Sequence, residues 1–321
     1  MSATETPHRL RMLIDAALAV AFALVILGAI VRVGDAGLGC GPAGSGLHGW
    51  PLCRGGLLPS AHAHTILEYS HRFLASALTV LLVAILWNVA RNARGQRFML
   101  GGAIAALALI VPQALLGALT VEHGLSAGLV AAHLALAMVL LAVLVTMALA
   151  ARGALGGRGS SLLRGLAALA CVALLATIAA GGLIAGTERH GTPGEDTAAG
   201  AHMACGPDFP ECNGAFLPFG EGEMVDIQLA HRTAMLFAVA AISLLAFGLW
   251  REGREGLALV IAFALGAQVW LGAMNVWAGE SAGLIIAHLT VASALWLAVV
   301  SALALSGLGP AGASARELGA R

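Results

Sequence analysis

The chain has 321 residues, of which 59% are hydrophobic and only 11% are charged. Its 17 basic residues, all of them Arg, balance 17 acidic residues, so the formal net charge is zero. A composition this apolar indicates a polytopic membrane protein rather than a soluble globular domain, and the lack of net positive charge argues against a nucleic-acid-binding protein.

Eight apolar stretches are each long enough to cross a bilayer, which takes about 20 residues. They lie near 13–33, 66–90, 98–121, 127–150, 162–186, 226–249, 256–277 and 282–305. The first follows a short polar segment and lacks a small-residue cleavage site, so we interpret it as a membrane helix rather than a signal peptide. The sequence therefore predicts an all-α integral membrane protein with eight transmembrane helices.

The arginine residues are distributed unequally between the two sides of the predicted membrane. Twelve of the 17 fall in the termini and short connections on one side, whereas the side with two long loops, near 34–65 and 187–225, holds five. Cytoplasmic segments carry an excess of basic residues. We therefore expect a multi-pass protein of a bacterial or archaeal cytoplasmic membrane, with both termini in the cytoplasm and both long loops outside.

An internal duplication relates the two halves of the chain. Residues 113–134 align without gaps with residues 268–289 and are identical at 13 of 22 positions. Each half, 1–155 and 156–321, then contains four helices and one long loop. Because four is an even number, both halves enter the membrane in the same direction, and their pseudo-two-fold axis is expected along the membrane normal. We predict two pseudo-symmetric four-helix bundles, which build cofactor sites from facing side chains.

Four histidines occupy equivalent positions in these halves. His71 in "EYSHR" corresponds to His231 in "QLAHR", and His133 in "SAGLVAAHL" corresponds to His288 in "SAGLIIAHL". A histidine inside a membrane segment is costly and marks a functional site by default. One such residue alone would be explained as a polar contact that holds two helices together. Four at matched depth predict two buried bis-imidazole sites, which suit haem iron.

The two predicted sites differ by one carboxylate. Glu68 precedes His71 by three residues and shares its helical face, whereas the second half has Gln228. A carboxylate beside a haem edge can move protons or stabilise positive charge on a substrate carbon. The helix dipole also favours an acid in a first turn, but it does not explain the shared face. Arg72 and Arg232 are expected either to pair with haem propionates or to anchor their helices at the interface.

Four of the five cysteines lie in the long loops, Cys40 and Cys53 in the first, Cys205 and Cys212 in the second. One disulfide per loop is the natural interpretation for the outer face of a bacterial membrane. A four-cysteine metal site is an alternative, although neither pair has the short spacing that zinc prefers. Redox-active thiols are a third possibility, and static disulfides are the simplest interpretation.

The other cysteine and the other histidines give weaker signals. Cys171 lies within the fifth predicted helix and is expected to be a small buried residue. The remaining histidines lie in loops or at helix ends and are expected to be mostly solvated: His8, His48, His62, His64, His123, His190 and His202.

Together these motifs resemble the haem A synthase family, through "EYSHR", "AAHL", "LAHR", "IAHL" and a cysteine pair in each long loop. The resemblance covers all eight helices and implies oxidation of the C8 methyl group of haem O to a formyl group, which gives haem A for terminal oxidases. It implies that His231 and His288 hold a resident haem b. It also implies that His71 and His133 hold the substrate haem O, with Glu68 at the reaction centre.

The resemblance also implies partners. Besides haem O and membrane lipid, these are haem O synthase and an unidentified donor or acceptor of electrons; no nucleic acid is expected. One departure from the family pattern concerns the first cysteine pair, which encloses a longer, glycine-rich stretch than the compact second pair. This departure weakens an electron-relay role for Cys40 and Cys53.

Two other classes of function remain open at this point. A di-haem b-type electron carrier would have two equivalent, permanently filled sites, and it gives no reason for the difference between Glu68 and Gln228. A haem or quinol transporter would be expected to have broken helices near the membrane midplane.

Overall fold

The computed structural model describes residues 6–92, 97–155, 159–187, 200–279 and 281–307. Its long helices are α1 (His8–Val33), α2 (Ala63–Asn92), α3 (Arg97–Glu122), α4 (Ala127–Ala151), α5 (Ser161–Thr187), α6 (Glu223–Arg251), α7 (Glu255–Trp277) and α8 (Ala282–Leu305). All eight are long and apolar enough to cross a membrane. The predicted all-α class and number of spans are confirmed, and each helix ends within five residues of its predicted position.

Equivalent residues end equivalent helices in the two halves. Gly124 after α3 and Gly279 after α7 have positive φ angles of 62° and 69°, a conformation that glycine adopts without steric cost. The hydroxyl of Ser281 then accepts a hydrogen bond from the backbone N–H of Leu284 and caps the start of α8, as serine commonly does at this position. The duplication is therefore visible in the turns as well as in the helices.

The contacts between helices follow a pseudo-two-fold pattern. Helix α4 packs against α8, α1 packs against α2, α4 and α8, and α5 packs against α6, α8 and α4. Exchanging the first four helices with the last four leaves this pattern unchanged, so the axis runs between α4 and α8. The exact boundary between halves, near residue 155, stays a prediction because residues 156–158 lie outside the described residues.

The buried core follows the inner faces of these helices. Leu141, Leu144, Leu295 and Val299 are fully buried in the centre of the bundle, and Trp296 donates a buried hydrogen bond of 2.7 Å from Nε1 to the Met138 carbonyl oxygen. Many large apolar side chains are instead exposed on the outside, including Phe73, Trp87, Phe237 and Phe263. In a membrane these side chains face lipid tails, which are as apolar as the core.

The two long loops contain the same hairpin, although their lengths differ. Residues 50–59, "WPLCRGGLLP", match residues 209–218, "FPECNGAFLP". In each loop the cysteine and the residue three positions later exchange two backbone hydrogen bonds of 2.9 and 3.0 Å. The two residues between them have positive φ angles, 51° and 78° in the first loop and 50° and 79° in the second. These angles are typical of a type I′ turn.

The first loop is longer because seven residues, 43–49, stand where the second loop has only Asp208. This insertion lies against the end of α3. The N–H of Gly44 donates to the Glu122 carbonyl oxygen at 3.0 Å, and the N–H of Gly46 donates to the Glu122 carboxylate at 3.1 Å. In the second half Trp277 occupies the position of Glu122 and its ring packs edge-on against Phe209. The insertion packs against α3 and lies outside the hairpin, so both loops keep the same hairpin.

Candidate functional site

A cavity of about 610 Å³ lies inside the bundle and is lined by residues of all eight helices. Its lining includes His71, His133, His231 and His288. His71 interacts electrostatically with His133, and His288 interacts with His231. The fold therefore brings the four histidines together as one pair in each half, on α2 and α4 and on α6 and α8.

Each histidine packs against a glycine of the preceding helix. A Cβ atom added at that glycine would lie 3.1 to 3.3 Å from the imidazole Cε1 atom, closer than ordinary van der Waals contact. The four pairs are Gly28 with His71, Gly117 with His133, Gly181 with His231, and Gly272 with His288. Four helix pairs thus present the imidazoles in the same way.

The Nδ1 atom of one of the four imidazoles has a main-chain partner. Nδ1 of His231 lies 3.0 Å from the carbonyl oxygen of Thr177 on α5. Among the described residues, Nδ1 of His71, His133 and His288 is buried and makes no hydrogen bond. His231 is therefore the imidazole that the neighbouring main chain orients directly.

Two glutamines approach the other ring nitrogen. The amide nitrogen of Gln113 lies 3.3 Å from Nε2 of His133, and the amide nitrogen of Gln268 lies 3.1 Å from Nε2 of His288. The second histidine of each half therefore has a glutamine side chain within hydrogen-bond distance of Nε2.

Glu68 lines the cavity but is also tied to the first loop. Its carboxylate is buried, accepts a hydrogen bond of 2.7 Å from the backbone N–H of Cys40, and forms an ion pair with Arg72. Arg72 in turn donates to the carbonyl oxygens of Gly49 at 2.6 Å and Leu52 at 3.1 Å. The carboxylate beside His71 is thus held in one position from two sides.

The second half repeats the arginine contacts without the carboxylate. Arg232 donates to the carbonyl oxygens of Pro210 and Glu211 in the second loop. Gln228 donates from its amide nitrogen to the His202 carbonyl oxygen at 3.4 Å. Among the described residues, the Gln228 amide oxygen and Nη2 of Arg232 are buried without a hydrogen bond. Both arginines thus bind main-chain carbonyl groups of the long loops, which the sequence did not predict.

The loop histidines are mostly exposed, as expected, with one exception. His202 is half-buried, lines the cavity and interacts electrostatically with His231 and His288. The expectation was that most of these histidines are solvated, and His202 is the exception among the described ones. His190 lies outside the described residues.

The cysteines form one disulfide in each loop, Cys40 with Cys53 and Cys205 with Cys212. The predicted pairing is confirmed, and it rules out a metal site made of the four thiolates. Cys171 is a free thiol, half-buried within α5. Cys171 is therefore less buried than the sequence analysis expected.

Sequence reasoning assigned no role to any of the four glycines. Gly117 and Gly272 belong to the aligned repeat, but α1 and α5 share too few identities to reveal Gly28 and Gly181. The signal that could have revealed them is a constant spacing between α1 and α5. For seven cavity-lining residues of α1, from Ala21 to Arg32, the residue 153 positions later on α5 also lines the cavity. This spacing becomes visible only when the cavity is known.

Comparison with known proteins places this architecture in a family. The family described as cytochrome oxidase assembly protein, COX15-CtaA, matches residues 11–300. A heme A synthase of Shouchella clausii is 27% identical over 295 residues, which cover 88% of each chain. A heme A synthase of Halalkalibacterium halodurans is 29% identical over 232 residues, covering 71% of this chain and 72% of that protein. Another, from Bacillus licheniformis, is 33% identical over 119 residues, so the matched segment spans 36% of that relative's length.

Proposed function

Because the chain belongs to the COX15-CtaA family of cytochrome oxidase assembly proteins, we propose that it makes haem A from haem O. The reaction is the oxidation of the C8 methyl group of haem O to a formyl group. Relatives that match most of the chain are named heme A synthase. The observation that carries the proposal is the arrangement of four cavity histidines as two pairs, with a carboxylate beside one pair only.

The second half suits a resident haem b, whose iron His231 and His288 would hold. In the described part of the chain no group of three or more His, Cys, Asp and Glu side chains could hold a bare metal ion, whereas two imidazoles are the donor set of a six-coordinate haem. The unpartnered buried Nη2 atom of Arg232 is a donor suited to a propionate. When bound, a bis-histidine haem b exchanges single electrons.

His231 supports this assignment through its second nitrogen. A metal-binding histidine usually donates its other ring N–H to a carbonyl or carboxylate, which fixes the ring and raises its basicity. The Thr177 carbonyl oxygen, 3.0 Å from Nδ1, provides that acceptor. Nε2 is then left for the iron.

The first half suits the substrate. We assign His71 and His133 to the iron of haem O, and the apolar residues around them, such as Ile110 and Leu134, to the porphyrin face. The farnesyl tail would extend into the lipid hydrocarbon. Among the described residues, Nδ1 of His71, His133 and also His288 lacks a hydrogen-bond acceptor. The difference between the pairs therefore rests on His231, which Thr177 orients. A pair without such an oriented ring suits a molecule that must leave after the reaction.

Glu68 is the residue we assign to the chemistry. The ion pair with Arg72 and the hydrogen bond from the N–H of Cys40 hold its carboxylate in one position. A carboxylate fixed there would stabilise positive charge that develops at the methyl carbon, and it would accept the proton that this carbon loses on oxidation. Arg72 holds the carboxylate in place and is assigned a positioning role, with propionate binding as its second assignment.

The orientation in the membrane is also part of the proposal. We infer that both termini lie in the cytoplasm and that the disulfide loops lie outside. Of the 12 arginines on the inferred cytoplasmic side, four lie outside the described residues: Arg94, Arg158, Arg316 and Arg321. After reduction, a membrane-impermeant thiol reagent added from outside should label the loop cysteines Cys40, Cys53, Cys205 and Cys212, whereas labelling only from the cytoplasm would contradict the orientation.

The decisive experiment is pigment extraction after co-expression with a haem O synthase. We expect membranes to gain haem A, and the purified protein to carry haem b. A di-haem electron carrier would yield haem b at both sites and no haem A. A transporter would leave haem O unchanged; the helices described here run without a break from end to end, which does not favour that class.

A further inference from the structure

One of the four glycine–histidine contacts has a second feature. The residue one helical turn before Gly181 is Thr177, whose carbonyl oxygen lies 3.0 Å from Nδ1 of His231. One turn before the glycines that touch His133 and His288, a glutamine side chain instead approaches Nε2 of the ring.

We propose that Gly28, Gly117, Gly181 and Gly272 are positioning residues for the four imidazoles. Because glycine has no Cβ atom, each ring can lie close against the preceding helix. At His231 this close approach brings Nδ1 within 3.0 Å of the Thr177 carbonyl oxygen and leaves Nε2 for the iron. This inference rests on the proposed binding of haem and adds what orients its ligands.

The four glycines differ from the other described α-helical glycines in what they touch. Six of the others have no neighbouring atom within 4 Å of an added Cβ atom: Gly101, Gly128, Gly165, Gly256, Gly266 and Gly283. Another four lie close to an alanine, leucine or methionine of a neighbouring helix: Gly102, Gly182, Gly186 and Gly248. Alanine is the better helix former at any of these positions. Of the helical glycines described, only the four proposed here have a histidine ring as the nearest neighbour of an added Cβ atom.

The contact is tight enough for one methyl group to matter. A Cβ atom at Gly181 would lie 3.3 Å from Cε1 and 3.6 Å from Nδ1 of His231. The ring must therefore move away from α5 by a few tenths of an ångström, which lengthens the hydrogen bond to Thr177. When a metal-binding histidine loses the hydrogen bond of its other ring nitrogen, metal affinity typically falls by about 10- to 100-fold.

Gly181→Ala and Gly165→Ala are a matched pair on α5 for testing this. Both replace glycine by alanine within the helix, but only Gly181 touches a histidine. In purified protein we expect Gly181→Ala to bind haem b about 10- to 100-fold more weakly. The haem that remains should have a higher reduction potential and an altered low-spin EPR spectrum, because the imidazole becomes less basic. Gly165→Ala should match the wild type in all three measurements.

The outcomes separate this inference from the proposed function. A wild-type protein without haem would overturn the proposed function. A wild-type protein with haem and a Gly181→Ala variant indistinguishable from Gly165→Ala would overturn the role of the glycine. A Gly181→Ala variant that folds in lower yield, but whose bound haem has an unchanged potential and EPR spectrum, would also overturn that role, because its defect would be purely structural.

The first half provides a second test in case Gly181→Ala does not accumulate. Gly117→Ala should weaken the binding of added haem O, measured by optical titration, while the haem b of the other half stays in place and reports correct folding. Gly101→Ala, also on α3, is the matched control because its surroundings are open. Equal haem O affinity in the two variants would contradict the inference.

Discussion

The two halves of this protein have the same scaffold but hold their histidines differently. In both, a disulfide-linked hairpin is bound by an arginine next to the first histidine, and each imidazole lies against a glycine. In the second half the Thr177 carbonyl orients His231. In the first half Nδ1 of His71 has no acceptor among the described residues, and a carboxylate, Glu68, stands where the second half has Gln228. The two halves therefore share a scaffold and differ in a few polar atoms around the histidines, and our proposal assigns different roles to the two sites on the basis of that difference.

The largest expected effect separates the two histidine pairs. His231→Ala should abolish the low-spin b-type absorption of the purified protein, because one remaining imidazole cannot keep the iron six-coordinate. The matched change in the first half, His71→Ala, should leave that absorption intact. Spectra of the two variants that change equally would show that the sites are not specialised as we propose.

Glu68→Gln makes the first site resemble the second and should have the next largest effect. We expect haem A production to fall by about 10²- to 10⁴-fold, the usual contribution of an acid–base group, with haem O accumulating in extracted pigment. Haem b should be retained because side-chain volume barely changes. The converse Gln228→Glu should preserve activity, since the new carboxylate can pair with Arg232. Normal haem A production by Glu68→Gln would leave Glu68 with a structural role only.

The two disulfides should differ in function more than in stability. Removing Cys40–Cys53, with a separation of 13 residues, is expected to cost about 3 kcal/mol on the chain-entropy model. Removing Cys205–Cys212, with a separation of 7 residues, should cost about 2.5 kcal/mol. Thermal unfolding of paired Cys→Ser variants measures both values.

Activity distinguishes the same two variants. The N–H of Cys40 bonds Glu68, so loss of the first disulfide should also lower haem A production. Loss of the second should lower it only in proportion to the folded protein. Equal activity per folded molecule would show that the loop does not position Glu68.

The smallest effect is expected at the pseudo-two-fold axis. Trp296 on α8 donates a buried hydrogen bond to the Met138 carbonyl oxygen, whereas the equivalent residue on α4 is Leu141. Trp296→Phe should lower stability by about 1 kcal/mol, the usual net value of one hydrogen bond, and leave both haem sites unchanged. A large loss of haem would mean that the packing between halves also sets the sites.

Much of the fold could be predicted from the sequence. A membrane span must satisfy its backbone groups internally and is therefore a long apolar helix, so composition alone reveals α1 to α8. The histidines, the carboxylate at Glu68 and the one-disulfide-per-loop pairing also stand out, because polar and thiol side chains are rare in such a chain. The shared hairpin was present in the sequence too, but the insertion 43–49 shifted it out of register with its counterpart.

Only the tertiary structure decided what these side chains touch. Thr177 orients His231 through a carbonyl group, Cys40 holds Glu68 through an N–H group, and Arg72 binds the first loop through carbonyl oxygens. Every residue carries such main-chain groups, so the sequence does not mark the ones that act. Which of them face a site depends on how each helix is rotated and on where each loop runs, and these follow from the packing of all eight helices together.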